Sequence, residues 1–210
     1  MKPLMAALAG SFILFAAPAL GQPAPTQPSS ANPTARRHLG FFLRLDGGIG
    51  YMNSSASSGG VSESISGVSS DFGVAVGGAV AENFILAADL WANAAYSPNV
   101  TLGGASATVY GNASLVGLGL NLTYYFMPAN VYLSVSPSLT AVGLSVNGVS
   151  SSTQAGFGGK IALGKEWWVG DHWGLGVAGH FLFSINNDQG PNPPTWTTLA
   201  GGVAFSATLN

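Results

Sequence analysis

From residue 39 to the end of the chain, apolar residues alternate with small or polar ones in segments of about ten residues. In the first segment Phe41 and Leu43 share one face, while Arg44 and Asp46 share the other. A period of two belongs to β-strands, and about 9 to 11 tilted residues cross the hydrocarbon layer of a bilayer. Eight such segments begin near residues 41, 72, 84, 116, 131, 157, 173 and 198. The pattern predicts an all-β fold, a closed antiparallel up-and-down transmembrane β-barrel of about eight strands.

The composition is that of a surface that meets lipid. Only 7% of the residues are charged, 47% are hydrophobic and 30 are Gly, whereas a water-exposed surface is about a quarter to a third charged. The net charge of -2 provides no basic surface for nucleic acid. Cys is absent, which excludes disulfides and thiolate metal sites. We expect no nucleic-acid partner, no metal and no cofactor.

The first part of the chain predicts export. Lys2 is followed by an apolar stretch and then by small residues, which is typical of a secretory signal peptide over residues 1–21, cleaved between Ala19 and Gly21. Residues 22–38 are rich in Pro and Ala and are expected to form a disordered spacer. The barrel domain is predicted over residues 39–210.

The connections between the predicted strands alternate in length. Tight turns are expected at residues 81–83, 127–130 and 169–172, and long loops near 53–70, 97–107, 145–154 and 186–195. Short periplasmic turns and longer outer loops are the usual arrangement in bacterial barrels. The Ser- and Gly-rich first loop is expected to be mobile. Pro137 lacks a ladder N–H, so a bulge or a strand limit is expected there.

Aromatic residues are expected to form two belts at the membrane interfaces. On strands, ring pairs such as Phe41 with Tyr51 lie one membrane crossing apart on the same face. The predicted belt residues are Phe41, Tyr51, Phe84, Tyr96, Tyr124, Phe126, Phe157, Trp167, Trp173 and Phe183, and Tyr132 and Trp196 are assigned to the same belts. A soluble β-sandwich is the alternative, but its second face would need charges, and here that face is mostly Gly, Ala and Ser.

The inward face carries a predicted polar network of the lumen. Its members are Arg44, Asp46, Asp89, Asn121, Lys160, Glu166 and His180. Buried charges must be paired and hydrogen-bonded, so the favoured interpretation is an ion-pair network that fills the barrel. A narrow or gated polar path is the alternative that the sequence leaves open.

No catalytic residues are predicted. His180 and Ser184 share a strand face, but four residues along a strand is about 13 Å, which is too far for a hydrogen bond. A lipid-modifying enzyme would need Asp89 or Glu166 to orient His180. The stretch that ends in Gly164-Lys165 is similar to a phosphate loop, but Glu166 follows where Ser or Thr is required.

Over residues 39 to 210 the chain resembles the small outer-membrane β-barrel superfamily of OmpA-like and OmpW-like proteins. The resemblance implies a location in the outer membrane of a Gram-negative bacterium, contact with outer-membrane lipid and insertion by the barrel assembly machinery. We expect a monomer with a structural, adhesive or surface-recognition role through exposed loops. The alternatives are a narrow channel or transporter for small molecules and, less favoured, a lipid-modifying enzyme.

Overall fold

The computed structural model describes residues 37–210, which form eleven β-strands. In chain order they are β1 (Phe41–Ser58), β2 (Val61–Ala81), β3 (Phe84–Tyr96), β4 (Asn99–Leu102), β5 (Ala105–Thr108), β6 (Gly111–Phe126), β7 (Val131–Val146), β8 (Val149–Ser152), β9 (Gly156–Trp168), β10 (Trp173–Asn187) and β11 (Thr195–Leu209). Among these residues no helix is long and apolar enough to span a bilayer. The predicted signal peptide and residues 22–36 of the predicted spacer lie outside the described residues.

The eight long strands close into an antiparallel barrel. Each of β1, β2, β3, β6, β7, β9, β10 and β11 pairs with the next, and β11 returns to pair with β1. The closing register joins Leu43 to Leu209 and continues to Ser55 opposite Thr197. The predicted closed up-and-down barrel is confirmed. We call the end with the short β2–β3, β6–β7 and β9–β10 turns the turn end, and the opposite end the loop end.

Alternation along each strand separates an apolar outside from a tightly filled lumen. In β1, for example, Phe41, Leu45 and Ile49 are exposed, while Phe42 and Arg44 are buried. Small residues on the inner face make room for large ones on neighbouring strands. At Gly117, an added Cβ would lie only 2.2 Å from the Trp91 indole, so that glycine is what allows the indole to lie against the wall.

The first predicted loop is wrong. Residues 53–70 are mostly strand, because β1 and β2 continue as one hairpin until Ser58 pairs with Val61. The hairpin turns at Gly59 and Gly60, both of which have positive φ, a conformation favourable to glycine. Short strands also occupy parts of two other predicted loops, since β4 pairs with β2 and with β5, and β8 pairs with β7. The loop end is therefore an extension of the sheet.

The expected bulge at Pro137 is also wrong. β7 runs through Pro137 without a change of register, because Gly119–Ser138 and Leu122–Val135, the pairs on either side of the gap at Pro137, keep the same register. On the other side Pro137 stays paired with Gly159 of β9. The missing N–H interrupts the ladder with β6 locally and leaves the strand continuous.

Two aromatic residues assigned to the belts face inward. Tyr132 is 2% exposed and Trp196 is 7% exposed. Tyr132 lies between the outward Val131 and Leu133, as strand alternation requires. Trp196 packs into the apolar cluster at the loop end of the lumen. Both residues were assigned to the belts from their position along the strand, and the face on which each side chain lies was not considered.

Candidate functional site: the lumen and its two ends

The lumen consists of two apolar clusters with a charged layer between them. The turn-end cluster is built around Phe42, Ile85, Tyr125 and Tyr132. The loop-end cluster contains Met52, Ile65, Trp91, Leu115, Leu182 and Trp196. The charged layer borders a central cavity of about 30 Å³, room for only one or two waters. Side chains therefore block the barrel on both sides of its charged middle.

The charged layer begins as a chain of alternating ion pairs. Lys160 Nζ lies 3.3 Å from Asp89 Oδ2 and 3.6 Å from Asp46 Oδ2. Arg44 Nε lies 3.6 Å from Asp46 Oδ1, and the Arg44 guanidinium lies 4.9 Å from the centre of the Tyr132 ring. Each buried cation thus faces a carboxylate, which offsets the cost of removing both charges from water.

Hydroxyl and amide groups complete this layer. Asn121 Nδ2 donates to Ser134 Oγ at 2.7 Å and to Ser136 Oγ at 3.1 Å. Arg44 Nη2 donates to the same Ser134 hydroxyl at 3.2 Å, and the Ser136 hydroxyl donates to Asp89. The structure thereby brings five of the predicted residues into one network: Arg44, Asp46, Asp89, Asn121 and Lys160.

His180 belongs to a separate pair with a residue that sequence reasoning missed. Its Nε2 lies 3.2 Å from Asp71 Oδ1, and that oxygen accepts a hydrogen bond from Asn93 Nδ2 at 2.6 Å. The enzyme hypothesis required Asp89 or Glu166 as the partner of His180, and the structure places neither there. Asp71 lies at the boundary of the predicted first loop, and β1 and β11 separate its strand from β10, so only the closure of the barrel brings it to His180.

Glu166, the remaining predicted residue, lies at the turn end. Its Oε1 accepts hydrogen bonds from the Thr208 hydroxyl at 2.7 Å and from the Tyr125 hydroxyl at 3.2 Å. Glu166 thus joins three strands, β6, β9 and β11, beneath the turn-end cluster. No contact links it to His180 among the hydrogen bonds of the described residues.

His38 closes the turn end from below. Its ring stacks on Tyr125 with the centroids 3.5 Å apart. Nε2 lies 2.8 Å from Asn130 Oδ1, an acceptor, and Nδ1 lies 2.6 Å from Asn210 Nδ2, a donor. This arrangement suits the neutral imidazole with its hydrogen on Nε2. The sequence had placed His38 in the spacer, where nothing in the local pattern signals a buried ring.

Burial lowers the pKa of the His38 imidazole, because removal from water disfavours its charged form. The hydrogen bond with Asn130, the charge of Glu166 and the hydrogen bond with Asn210 act in the opposite direction and are weaker. His38 is therefore held neutral at neutral pH. It ties the segment before β1 to the residue after β11, across the seam where the barrel closes.

The loop end carries a rim rich in hydroxyl side chains, which we define as the residues that are not buried within 53–70, 97–110, 145–155 and 187–197. Cross-strand pairs of hydroxyls support it, including Ser57 with Ser62 and Thr101 with Ser106. Glu63 and Asp188 are the acidic residues of these ranges, and the ranges contain no Lys or Arg. The rim is polar, carries a small negative charge and is exposed to solvent.

All ten aromatic residues predicted for the membrane interfaces point outward. Phe84 and Phe183 are half-buried and the other eight are exposed. Neighbouring rings contact each other near both ends, with Tyr124 and Phe126 5.0 Å apart at the turn end and Phe157 and Phe183 6.4 Å apart toward the loop end. In the described residues no group of three or more His, Asp or Glu is arranged to hold a metal ion.

The comparisons with known proteins agree with the resemblance seen in the sequence. No protein-family model matches the chain, and no curated protein matches it. Neisserial surface protein A superposes with a TM-score of 0.51 at 18% identity, covering 80% of this chain and 96% of that one. Outer membrane protein OprG from Pseudomonas aeruginosa superposes with a TM-score of 0.50 at 15% identity, covering 82% and 98%. The chain has the fold of the small outer-membrane β-barrels.

Proposed function

We propose that this protein is a non-conducting, non-enzymatic barrel of the outer membrane of a Gram-negative bacterium, with a structural, adhesive or recognition role at the cell surface. The observation that carries the proposal is the filled lumen. The turn-end and loop-end clusters enclose the charged layer, and the cavity between them is about 30 Å³. A solute would have to displace both clusters to cross.

The outer surface supports the membrane part of the proposal. Large apolar side chains such as Ile49, Leu118 and Val203 are each at least 60% exposed, which is costly in water and favourable in lipid. Aromatic rings near both ends are suited to the headgroup level. In this proposal the chain is exported, is inserted by the barrel assembly machinery and acts as a monomer in outer-membrane lipid.

The rim supports the recognition part. Its hydroxyl and amide groups are suited to hydrogen-bonding neutral partners such as sugars or peptide backbone. Glu63 and Asp188 repel polyanions, and the described residues supply no Lys or Arg at the rim to attract them. A neutral or cationic partner therefore fits this surface better than a phosphate-rich or sulfated one.

Single-channel recording tests the proposal against the channel alternative. The purified chain is reconstituted in planar bilayers, and a sample of the same preparation is run boiled and unboiled on an SDS gel. We expect a boiling-dependent shift in mobility, which reports a folded barrel, together with no conductance steps. Reproducible steps from a heat-modifiable preparation would contradict the closed lumen and favour the narrow channel.

A further inference from the structure

An apolar groove crosses β9, β10 and β11 on the outer face of the barrel and has a volume of about 400 Å³. Gly179 forms its floor, and an added Cβ there would meet no atom within 4 Å. Leu163 and Val203 are the register partners of Gly179 on the two neighbouring strands, and they form the two sides of the groove. In a bilayer, this groove would face the acyl chains of the lipids.

Lys165 lies at the turn-end side of this groove. It pairs in register with Val131 and Val177 and faces outward, between Leu163 and Trp167 on the same strand face. Its ammonium lies 5.6 Å from the centre of the Trp167 ring and donates to the Ala129 carbonyl at 2.5 Å. Ala129 belongs to the β6–β7 turn, so the long side chain bends from the lipid-facing surface toward the headgroup level.

Within residues 37–210, no carboxylate pairs with the Lys165 ammonium. Of the other described cations, Arg37 pairs with Glu82, and Arg44 and Lys160 pair with carboxylates of the lumen. Among the described residues no carboxylate lies within 4 Å of the Lys165 ammonium. One of the three N–H groups of the Lys165 ammonium donates to the Ala129 carbonyl. This cation, which has no carboxylate partner in the described part of the chain, therefore lies about 7 Å along the strand from the apolar groove.

We propose that the groove and Lys165 form a binding site for one anionic glycerophospholipid of the periplasmic leaflet. An acyl chain lies over Gly179 between Leu163 and Val203, where it fills a void that otherwise lacks contacts. The phosphate pairs with the Lys165 ammonium at the headgroup level. The inference rests on the proposed function, because it requires the barrel to lie in a bilayer with its turn end in the periplasm.

Native mass spectrometry of lipids retained by the full chain tests the site. The protein is reconstituted in nanodiscs of equal phosphatidylglycerol and phosphatidylcholine, released into mild detergent, and the bound lipids are counted. We expect the wild type to retain phosphatidylglycerol about fivefold over phosphatidylcholine, which corresponds to about 1 kcal/mol for one interfacial cation. Lys165→Gln is expected to abolish this preference, and Gly179→Val to reduce the retention of both lipids.

Matched variants make the result specific. Arg37→Gln removes another turn-end cation, and Gly47→Val fills another outward glycine position, where an added Cβ would lie 3.9 Å from a backbone oxygen, an ordinary contact; both are expected to behave like the wild type. A preference that persists in Lys165→Gln, or undiminished retention in Gly179→Val, overturns the site. A lipid-free dimer of the wild type also overturns it, because a second copy then fills the groove. A heat-mobility shift is recorded for every sample, and its absence in the wild type counts against the membrane barrel itself.

Discussion

The two ends of the barrel are built in opposite ways. At the turn end, short turns surround a buried ring system in which His38, Tyr125 and Glu166 contact one another or share partners through specific hydrogen bonds. At the loop end, strands continue beyond the apolar cluster as exposed hairpins held by ladder bonds and hydroxyl pairs. The buried ring contacts are thus concentrated at the turn end, where the segment before β1 meets the residue after β11.

The difference between the ends is sharpest in their accessibility on intact cells. The chain has no Cys, so Ser58→Cys at the loop end and Ala129→Cys at the turn end each introduce a single thiol. We expect a membrane-impermeant maleimide to label the first on whole cells and the second only after the outer membrane is opened. Labelling of Ala129→Cys on intact cells would reverse the orientation of the barrel.

Truncating one tyrosine at each end compares their contributions to stability. Tyr125→Ala removes a buried ring, its stacking on His38 and its hydrogen bond to Glu166, and we expect it to lower the free energy of unfolding by about 4 kcal/mol. Tyr110→Ala, at an 85% exposed position in the rim, is expected to change it by less than about 0.5 kcal/mol. Urea unfolding in phosphatidylcholine vesicles, followed by Trp fluorescence, measures both. Equal losses would mean that the turn end is not the more stable end.

Acid is expected to weaken the turn end in particular. Because the pKa of His38 is lowered in the fold, the unfolded chain takes up a proton more readily, and the stability contributed by the neutral ring is lost as the pH falls below 6.5. Glu166 and Tyr125, which face the ring, remain in every variant. We expect His38→Gln to flatten the decline in urea midpoint across this range, whereas His172→Gln, at an exposed turn, leaves it unchanged. If the urea midpoint of His38→Gln declined as steeply as that of the wild type, the acid sensitivity would arise from other groups.

Alternation predicted the long strands of the barrel wall because their two faces have different surroundings. In β7 the outward Leu133 and Val135 alternate with inward Ser134 and Ser136, and this contrast is readable in sequence. In the Ser-rich part of the β1–β2 hairpin the buried inward side chains include small or polar ones such as Ser54 and Ser69, so the sequence shows no such contrast and this part was predicted as a loop. Its pairing depends on ladder bonds, which composition does not report.

Pairings inside the lumen were less predictable than the inward direction of the side chains. Asp71 and His180 lie on β2 and β10, and their contact depends on barrel closure and stagger, which a linear pattern does not contain. His38 was missed because a single ring outside any periodic segment gives no signal of burial. Lys165 was considered only in a motif that resembles a phosphate loop, although its outward position follows from the same alternation as Leu163.

The long β1–β2 hairpin also sets the reach of the rim. Tyr51, which belongs to the predicted aromatic belt, and Ser58, at the tip, are seven residues apart along one continuous strand, a length of about 24 Å. Inserting two residues into each arm would lengthen this stalk by about 7 Å and keep every side chain on its present face, whereas inserting one would exchange the faces. The height of the tip can therefore change without exchanging the two faces of the hairpin only when the number of residues inserted into each arm is even.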